Sequence, residues 1–287
     1  MPGRPKGVPA PEPLQKREAP MKKNQILKAR TAESAARRFG LGMISPTMLV
    51  LLIMTAYPLL FTLFYSFTDY NLLRNLQKPA SFIALGNYTK LLNDAYFRQA
   101  ILNTVKFTLL AVIFEMLIGF GIALLVNSLT RGQKTMRTLL LLPYLLPTVT
   151  VALSWRMMLS PNYGIVNQVM EALNLPVFNW FSDMRTAFGM LLLIDVWQSA
   201  PFVFLLLYAA LQSVPQAQYE AARIDGASAF KILFFVTIPN IKNSLALCAL
   251  LRTIDSFRLF DKVNLLTGGG PANTTSTITQ YLYNYGI

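Results

Sequence analysis

Charged side chains occur inside several stretches of the sequence that are otherwise apolar. They are Glu115, Asp195, Arg252 and Asp255. Because an ionised group is costly at membrane depth, we expect these side chains to face the interior of a helix bundle or a water-filled cavity. Arg252 and Asp255 are three residues apart, which places them on one helix face and predicts an ion pair between them.

The residue types that most catalytic and metal centres need are scarce in this chain. It has no histidine and one cysteine, Cys248, which excludes histidine-based catalysis, an intrachain disulfide and a Cys/His metal cluster. No convincing pair of nucleophile and base is present either. We therefore predict no catalytic residue and no metal site, and we expect the chain not to be an enzyme.

A second group of polar residues could bind a solute. Asp195, Trp197 and Gln198 place an aromatic ring beside hydrogen-bonding groups, which suits the apolar face and the hydroxyl groups of a sugar. Asn243 and Ser244 are further candidates for the same path. Packing of Trp197 between helices is an equally good interpretation of that residue, so both remain open.

The composition indicates which elements hold these residues. Of the 287 residues, 54% are hydrophobic and only 14% are charged, whereas soluble domains have roughly a quarter of their residues charged. Long apolar runs predict an all-α integral membrane protein with a bundle of five transmembrane helices. The predicted spans are 44–67, 107–129, 138–159, 187–211 and 238–260.

Prolines and small residues predict the shapes of these spans. Pro58 should bend the first span, and Pro143 with Pro147 should kink the third, because proline removes a helix hydrogen bond. Gly119 and Ala123 in the second span should let another helix approach closely.

The distribution of Lys and Arg predicts the orientation. With the N-terminus in the cytoplasm, the inside segments 1–43, 130–137 and 212–237 carry fifteen basic residues, against seven outside. The Pro-, Lys- and Arg-rich residues 1–42 are predicted to be a disordered cytoplasmic tail before a membrane domain, 43–287. The net charge of +13 forms no basic stripe with interleaved aromatics, so we predict no nucleic-acid partner.

A helix-favouring segment, EAARIDGASAFKILFFVTIP (220–239), lies on the predicted cytoplasmic side between the fourth and fifth spans. Ser213 should cap a helix over 214–225, and Gly226 should end that helix in the left-handed conformation. A second short helix is predicted over 227–235. One face of the first helix would carry Ala217, Ala221 and Ile224. An ordinary interfacial connector is an equally good interpretation on these grounds.

The spacing within this segment resembles the EAA loop of binding-protein-dependent ABC importer permeases. Glu-Ala-Ala (220–222) is followed by Gly226 and then by Val-Thr-Ile-Pro (236–239), with Val and Ile where the family usually has Ile and Leu. LTGGGP (266–271) is similar to an external loop of carbohydrate-type permeases, and WRMMLSPNYGIVN (155–167) extends the resemblance.

The resemblance implies a type I ABC importer permease of the maltose/glycerol-phosphate-like class. In that family the EAA helix docks into a groove of a cytoplasmic ATPase dimer. For this sequence, the resemblance implies that Glu220 would meet the charge of the groove and that Ala221 and Ala222 would allow close approach. It also implies that Gly226 would form the bend and Pro239 would close the loop.

The resemblance also implies the cofactors and partners. No Gly-x4-Gly-Lys-Ser/Thr loop occurs in this sequence, so ATP and Mg are expected on the separate ATPase and no cofactor on this chain. The other expected partners are a second homologous permease subunit, an extracytoplasmic solute-binding protein, a sugar-like substrate and lipid of the cell inner (plasma) membrane.

The number of predicted spans differs from the family pattern. The family expects a sixth span, which is absent from the five predicted here, so we expect this chain to stop on the outside. A secondary transporter or channel not driven by ATP is the alternative function, although neither an inverted repeat nor a filter-like loop is evident.

Overall fold

A computed structural model describes residues 23–71 and 79–286 of the chain, with side chains from residue 38 onward. The first part of the predicted disordered tail, 1–22, lies outside the described residues. From Lys23 the chain is helical, so residues 23–42 continue the first helix towards the N-terminus.

The described residues fold as α-helices joined by short connections. In chain order these are α1 (Lys23–Ser66), α2 (Gly86–Asn93), α3 (Ala95–Ser128), α4 (Gln133–Leu145), α5 (Thr148–Met158), α6 (Ile165–Ala172), α7 (Ala187–Gln212), α8 (Gln216–Ile224), α9 (Ala229–Ile232), a π-helical turn (Leu233–Thr237), α10 (Ile238–Phe257), α11 (Asp261–Leu266) and α12 (Ile278–Gly286).

Apolar helices long enough to cross a membrane confirm the predicted fold class. Among the described residues there are four, or up to five if α4 and α5 together form one span. Several bounds differ from the prediction, and two of the differences concern helices that carry buried charges. Helix α3 begins well before residue 107, because the Asp94 carboxylate caps it by accepting from the backbone amides of Tyr96 and Phe97.

The other difference concerns the predicted short helix over 227–235. Instead of ending before the membrane, α9 continues through the π-helical turn into α10, so that Ala229–Phe257 is one uninterrupted helix. The predicted separate helix is therefore wrong. A π turn keeps the chain helical with i→i+5 hydrogen bonds, and such turns recur at functional sites.

The chain divides into two units, residues 1–87 and 88–287. In the first unit, α1 continues through Pro58, and the segment that follows it is held by a bridge between Thr68 and Phe82. The Asn87 amide donates to the backbone carbonyls of Ser66 and Thr68 at 2.9 and 2.8 Å.

In the second unit, the predicted kink in the third span is confirmed as a sharp break. Helices α4 and α5 meet at 86°, on either side of Leu146 and Pro147. The Gln198 amide of α7 donates to the Leu146 carbonyl at 3.0 Å. Because this bond satisfies a carbonyl at the break, the interrupted backbone is tolerated.

Close packing of α3 on α7 centres on Gly119, as its small side chain predicts. A Cβ atom at this position would lie 2.6 Å from the Val203 Cβ and 2.9 Å from the Ala200 carbonyl oxygen. No side chain larger than hydrogen fits there without moving α7. Ala123, one turn further, is completely buried.

Two apolar clusters fill the second unit, and polar residues lie between them along each helix. One cluster joins α3, α7 and α10 through residues such as Ala123, Phe204 and Cys248. The other joins α3, α5, α7 and α11 through residues such as Phe107 and Leu191. Glu115 on α3 and Asp195 on α7 lie between the residues that these helices contribute to the two clusters.

Candidate functional site

Glu115 lies on the buried face of α3. Ala111, Glu115, Gly119 and Ala123 follow one another at intervals of four residues, and all four are buried. Residues at this spacing share one helix face. The carboxylate is therefore directed at the neighbouring helices, and its exposed fraction is 0%.

Arg252 of α10 pairs with this carboxylate. Its Nε donates to Glu115 Oε2 at 2.7 Å, and a terminal nitrogen donates to Oε1 at 2.9 Å. Its other terminal nitrogen donates to Asp255 at 3.3 Å, which confirms the predicted pair of Arg252 and Asp255. The sequence did not identify Glu115 as the principal partner of Arg252. A bidentate arginine–carboxylate pair is strong and directional.

A second buried ion pair joins α7 to α11. Lys262 Nζ donates to Asp195 Oδ1 at 2.5 Å, and both side chains are almost completely buried. The sequence did not predict this pair, because the burial of Lys262 depends on tertiary packing. Of the four charged residues predicted to face the bundle interior or a cavity, Glu115, Asp195 and Arg252 are buried, whereas 47% of the Asp255 side chain is exposed.

A cleft of about 570 Å³ opens beside these pairs. The end of α4, the start of α5, α7 and the α10–α11 connection form its walls. Three buried atoms on its lining have no hydrogen-bond partner among the described residues: Asp195 Oδ2, Gln198 Oε1 and Ser256 Oγ. The first two can only accept hydrogen bonds. This is a polar pocket suited to a ligand that is rich in donors.

The structure does not bring all the predicted solute-binding residues together. Asp195 and Gln198 line the cleft, whereas Trp197 lines a separate apolar groove. The Trp197 ring packs edge-on against Trp155 at 5.6 Å between centroids. Asn243 and Ser244 lie near the start of α10 and do not line the cleft. The expected platform of Trp197 beside Asp195 and Gln198 is thus absent from this conformation.

A second surface of interest is the outward face of α8. Glu220 and Ala221 are exposed, and Ile224 has an exposed fraction of 85%. Ala222, in contrast, is half-buried and faces the rest of the molecule. The predicted apolar face of Ala217, Ala221 and Ile224 is therefore open.

Gly226 ends α8 as predicted, with a φ of 71°. The amide of Gly226 donates to the Arg223 carbonyl at 3.1 Å, and the amide of Ala227 donates to the Ala222 carbonyl at 2.9 Å. These two bonds form a Schellman motif, in which glycine avoids the strain that a Cβ atom would meet. The predicted cap at the other end is wrong, since Ser213 ends α7 and α8 follows Pro215 without a side-chain cap.

The inward face of α8 is bonded to the start of α10. The Asn240 amide donates to Gln218 Oε1 at 2.7 Å, and the Thr237 hydroxyl lies 3.4 Å from the Tyr219 hydroxyl. Pro239 lies two residues after the π-helical turn, inside the continuous helix Ala229–Phe257, where it supplies no amide hydrogen to the helix. Helix α8 is thus attached to the long helix that carries Arg252.

The LTGGGP loop and the helix after it are held against α3. The Asn103 amide donates to the carbonyls of Asn273 and Ser276 at 2.8 and 3.0 Å. The Tyr281 hydroxyl donates to Asp94 at 2.6 Å, and this hydrogen bond lowers the pKa of the Asp94 carboxyl below its ordinary value. No sequence pattern had indicated either contact.

Comparison with known proteins relates this geometry to a family. The chain is similar to the trehalose/maltose transport system permease protein MalF of Thermococcus litoralis, with 36% identity over 86% of this chain and 83% of that protein. It is 34% identical to the sulfoquinovosyl glycerol transport system permease protein SmoG of Agrobacterium fabrum, over 86% and 80% of the two chains. The trehalose transport system permease protein SugA of Mycobacterium tuberculosis is 33% identical over 87% and 79%.

The fold is also similar to that of a solved transporter. A chain in the crystal structure of a bacterial ABC transporter that imports the acidic polysaccharide alginate superposes with a TM-score of 0.76 and 23% identity, over 90% of this chain and 87% of that one. Residues 115–287 match the family described as binding-protein-dependent transport system inner membrane component. The chain is a multi-pass membrane protein that belongs to this family, as the EAA-like spacing predicted.

Proposed function

We propose that this chain is the membrane-spanning subunit of an ATP-driven importer for a sugar or sugar-like solute. The relatives support the substrate class, because they are named as permeases for trehalose, maltose and sulfoquinovosyl glycerol. A solute-binding protein would deliver the substrate from outside, and a second homologous permease subunit would complete the membrane pathway.

The observation that carries the proposal is the exposed face of α8 together with the attachment of its other face to α10. Ile224 and Ala221 offer an apolar surface beside the charge of Glu220. A short amphipathic helix of this kind fits a groove on a partner. We assign that groove to a separate cytoplasmic ATPase dimer, which would bind ATP and Mg.

The distribution of positive charge supports a cytoplasmic position for α8. Lys and Arg are concentrated in 1–43 and 130–137, and α8 lies on the same side as these segments if each predicted span crosses once. The N-terminus is accordingly proposed to be cytoplasmic.

Movement of α8 would reach the cleft through one continuous helix. Asn240 and Thr237 hold α8 at one end of Ala229–Phe257, and Arg252 lies near the other end, on the lining of the cleft. Since helices move as rigid elements, displacement at the ATPase would alter the walls of the cleft.

The same cleft is proposed as part of the translocation path. Asp195 and Gln198 present unpaired acceptors there, and the break between α4 and α5 forms one wall. Interrupted helices often line solute sites in transporters, because irregular backbone at membrane depth is tolerated next to a cavity. Trp197, Asn243 and Ser244 are not assigned to this part of the path.

Two substitutions test the coupling. Glu220→Lys reverses the charge on the exposed face of α8, and Gly226→Val places a β-branched residue in the left-handed region, where each residue costs about 1–2 kcal/mol or more. Both variants should lose ATP-dependent uptake in proteoliposomes while retaining membrane insertion. Matched controls are Glu171→Lys on α6 and Gly132→Val, since Gly132 also has a positive φ, 80°, with open space around it.

Uptake and co-purification with the ATPase give the decisive readouts. We expect both controls to transport and both α8 variants to lose coupling, with Glu220→Lys also weakening retention of the ATPase. Wild-type uptake and normal ATPase retention in both α8 variants would contradict the docking assignment. Uptake by vesicles that lack ATP or the ATPase would instead favour a secondary transporter or channel.

A further inference from the structure

The charges around the cleft bear on which sugars could enter it. Its lining contains the cations Arg252, Arg258 and Lys262 and the carboxylates of Asp195, Asp255 and Asp261. Each of these three cations already has a carboxylate partner. An anionic ligand would therefore have to compete with a buried ion pair at Arg252 and at Lys262.

Arg252 is the most fully occupied of the three cations. All three of its side-chain nitrogens bond to carboxylates, two to Glu115 and one to Asp255. Three of its five N–H donors are used in these bonds, and its exposed fraction is 5%, so an anion in the cleft has little access to the guanidinium. Breaking a buried pair leaves an uncompensated charge.

The other two cations differ in exposure, because the Lys262 side chain is buried whereas 72% of the Arg258 side chain is exposed. Lys262 is buried against Asp195, and Arg258 lies 3.4 Å from the second oxygen of Asp255. Asp261 lines the cleft and has no ion-pair partner in the part of the chain that the structure describes. With Glu115 behind Arg252, three cations face four carboxylates.

The hydrogen-bonding groups of the cleft also favour a neutral ligand over an anionic one. Gln198, which lines the cleft, uses its amide nitrogen on the Leu146 carbonyl, and its oxygen is left as an acceptor without a partner. The unpaired Asp195 oxygen is also an acceptor, and both side chains are more than nine-tenths buried. Buried acceptors require donors, which sugar hydroxyl groups supply and carboxylates or sulfonates do not.

We infer that the cleft selects uncharged polyhydroxylated solutes and disfavours sugars that carry a carboxylate or sulfonate group. This inference rests on the proposed function. It separates neutral sugars from acidic sugars, both of which the proposed function would allow as substrates.

The test uses the purified complex of this chain with its partner permease and ATPase in nanodiscs. Trehalose, maltose and cellobiose are each compared with the derivative in which one hydroxymethyl group is replaced by carboxylate. Binding is measured by competition with the radiolabelled neutral sugar, without the solute-binding protein, so that the permease alone sets the preference. The sugar that binds most tightly should be neutral. Its uronate should need an at least tenfold higher concentration for the same competition, and a tenfold change in affinity is about 1.4 kcal/mol.

A variant makes the electrostatic cause testable. Asp261→Lys adds positive charge to the exposed edge of the cleft without breaking any ion pair, and it should reduce the preference for the neutral sugar at least threefold. Glu171→Lys makes a similar change away from the cleft and should leave the preference unchanged.

Equal or tighter binding of the uronate would overturn the inference, as would an unchanged ratio in Asp261→Lys. Neither result would affect the proposed function, since ATP-dependent uptake of an acidic sugar would still support it. Conversely, uptake that does not depend on ATP would refute the proposed function while leaving the charge preference measurable.

Discussion

Replacing Arg252 by methionine removes the cation from the buried pair and leaves Glu115 without a counter-charge. Both residues are almost inaccessible, with exposed fractions of 5% and 0%, so solvent cannot compensate the lost contacts at 2.7 and 2.9 Å. Breaking a buried pair by removing one partner costs about 3–5 kcal/mol. We therefore expect Arg252→Met and Glu115→Met each to destabilise the protein by that amount.

The double variant separates the cost of an unpaired charge from the net contribution of the pair. Replacing both partners by apolar residues of similar volume is commonly neutral, or stabilising by about 1–4 kcal/mol. Glu115→Met with Arg252→Met should therefore recover most of the stability that either single variant loses. Transport need not recover with it, because Arg252 lines the cleft.

Thermal unfolding of the purified complex, followed by size-exclusion chromatography after heating, is the assay. At roughly 2–4 °C per kcal/mol, the single variants should lose about 6–20 °C. Asp255→Asn is the control, because Asp255 is half exposed and its bond to Arg252 is 3.3 Å, and an exposed pair contributes less than about 1 kcal/mol. Single variants as stable as wild type, or a double variant as unstable as the singles, would refute the reasoning.

Two further predictions concern packing and topology. Gly119→Val should cost about 1–3 kcal/mol and lower the yield of folded protein, because its Cβ would lie 2.6 Å from α7, whereas Gly121→Val should be tolerated, since nothing lies within 4 Å of that position. With Cys248 replaced by Ala, a cysteine in place of Lys134 should be shielded from an impermeant thiol reagent in intact cells and one in place of Glu171 should react. The reverse labelling would contradict the proposed orientation.

The features that were predicted correctly have local causes. Long apolar runs determine where membrane helices form, Pro147 removes an amide hydrogen at the break between α4 and α5, and Gly226 adopts a conformation that few other residues tolerate. Each of these effects acts within a few residues of its cause. The start of the second span was missed for a related reason, because Asp94 and polar residues such as Asn103 extend α3 beyond its apolar run.

The ion-pair partners of the buried charged residues could not be predicted from local sequence. Glu115 and Arg252 are 137 positions apart, and Asp195 and Lys262 are 67 positions apart. Only the packing of α3, α7, α10 and α11 brings them together. The predicted platform grouped Trp197 with Asp195 because the two residues are near in sequence, but residues two positions apart on a helix face different directions.

One signal in the sequence did connect the charge to the packing. Glu115 occupies the same four-residue register as the small residues Ala111, Gly119 and Ala123, so it had to share their buried face on α3. The face of α3 that packs through Gly119 also carries the Glu115 carboxylate into the bundle. There Arg252 of α10 compensates its charge. Cys248, one turn before Arg252, belongs to the same apolar cluster as Ala123. The close packing of α3 on α7 and the ion pair between α3 and α10 thus use the same face of α3, and a substitution that shifts α3 should weaken both.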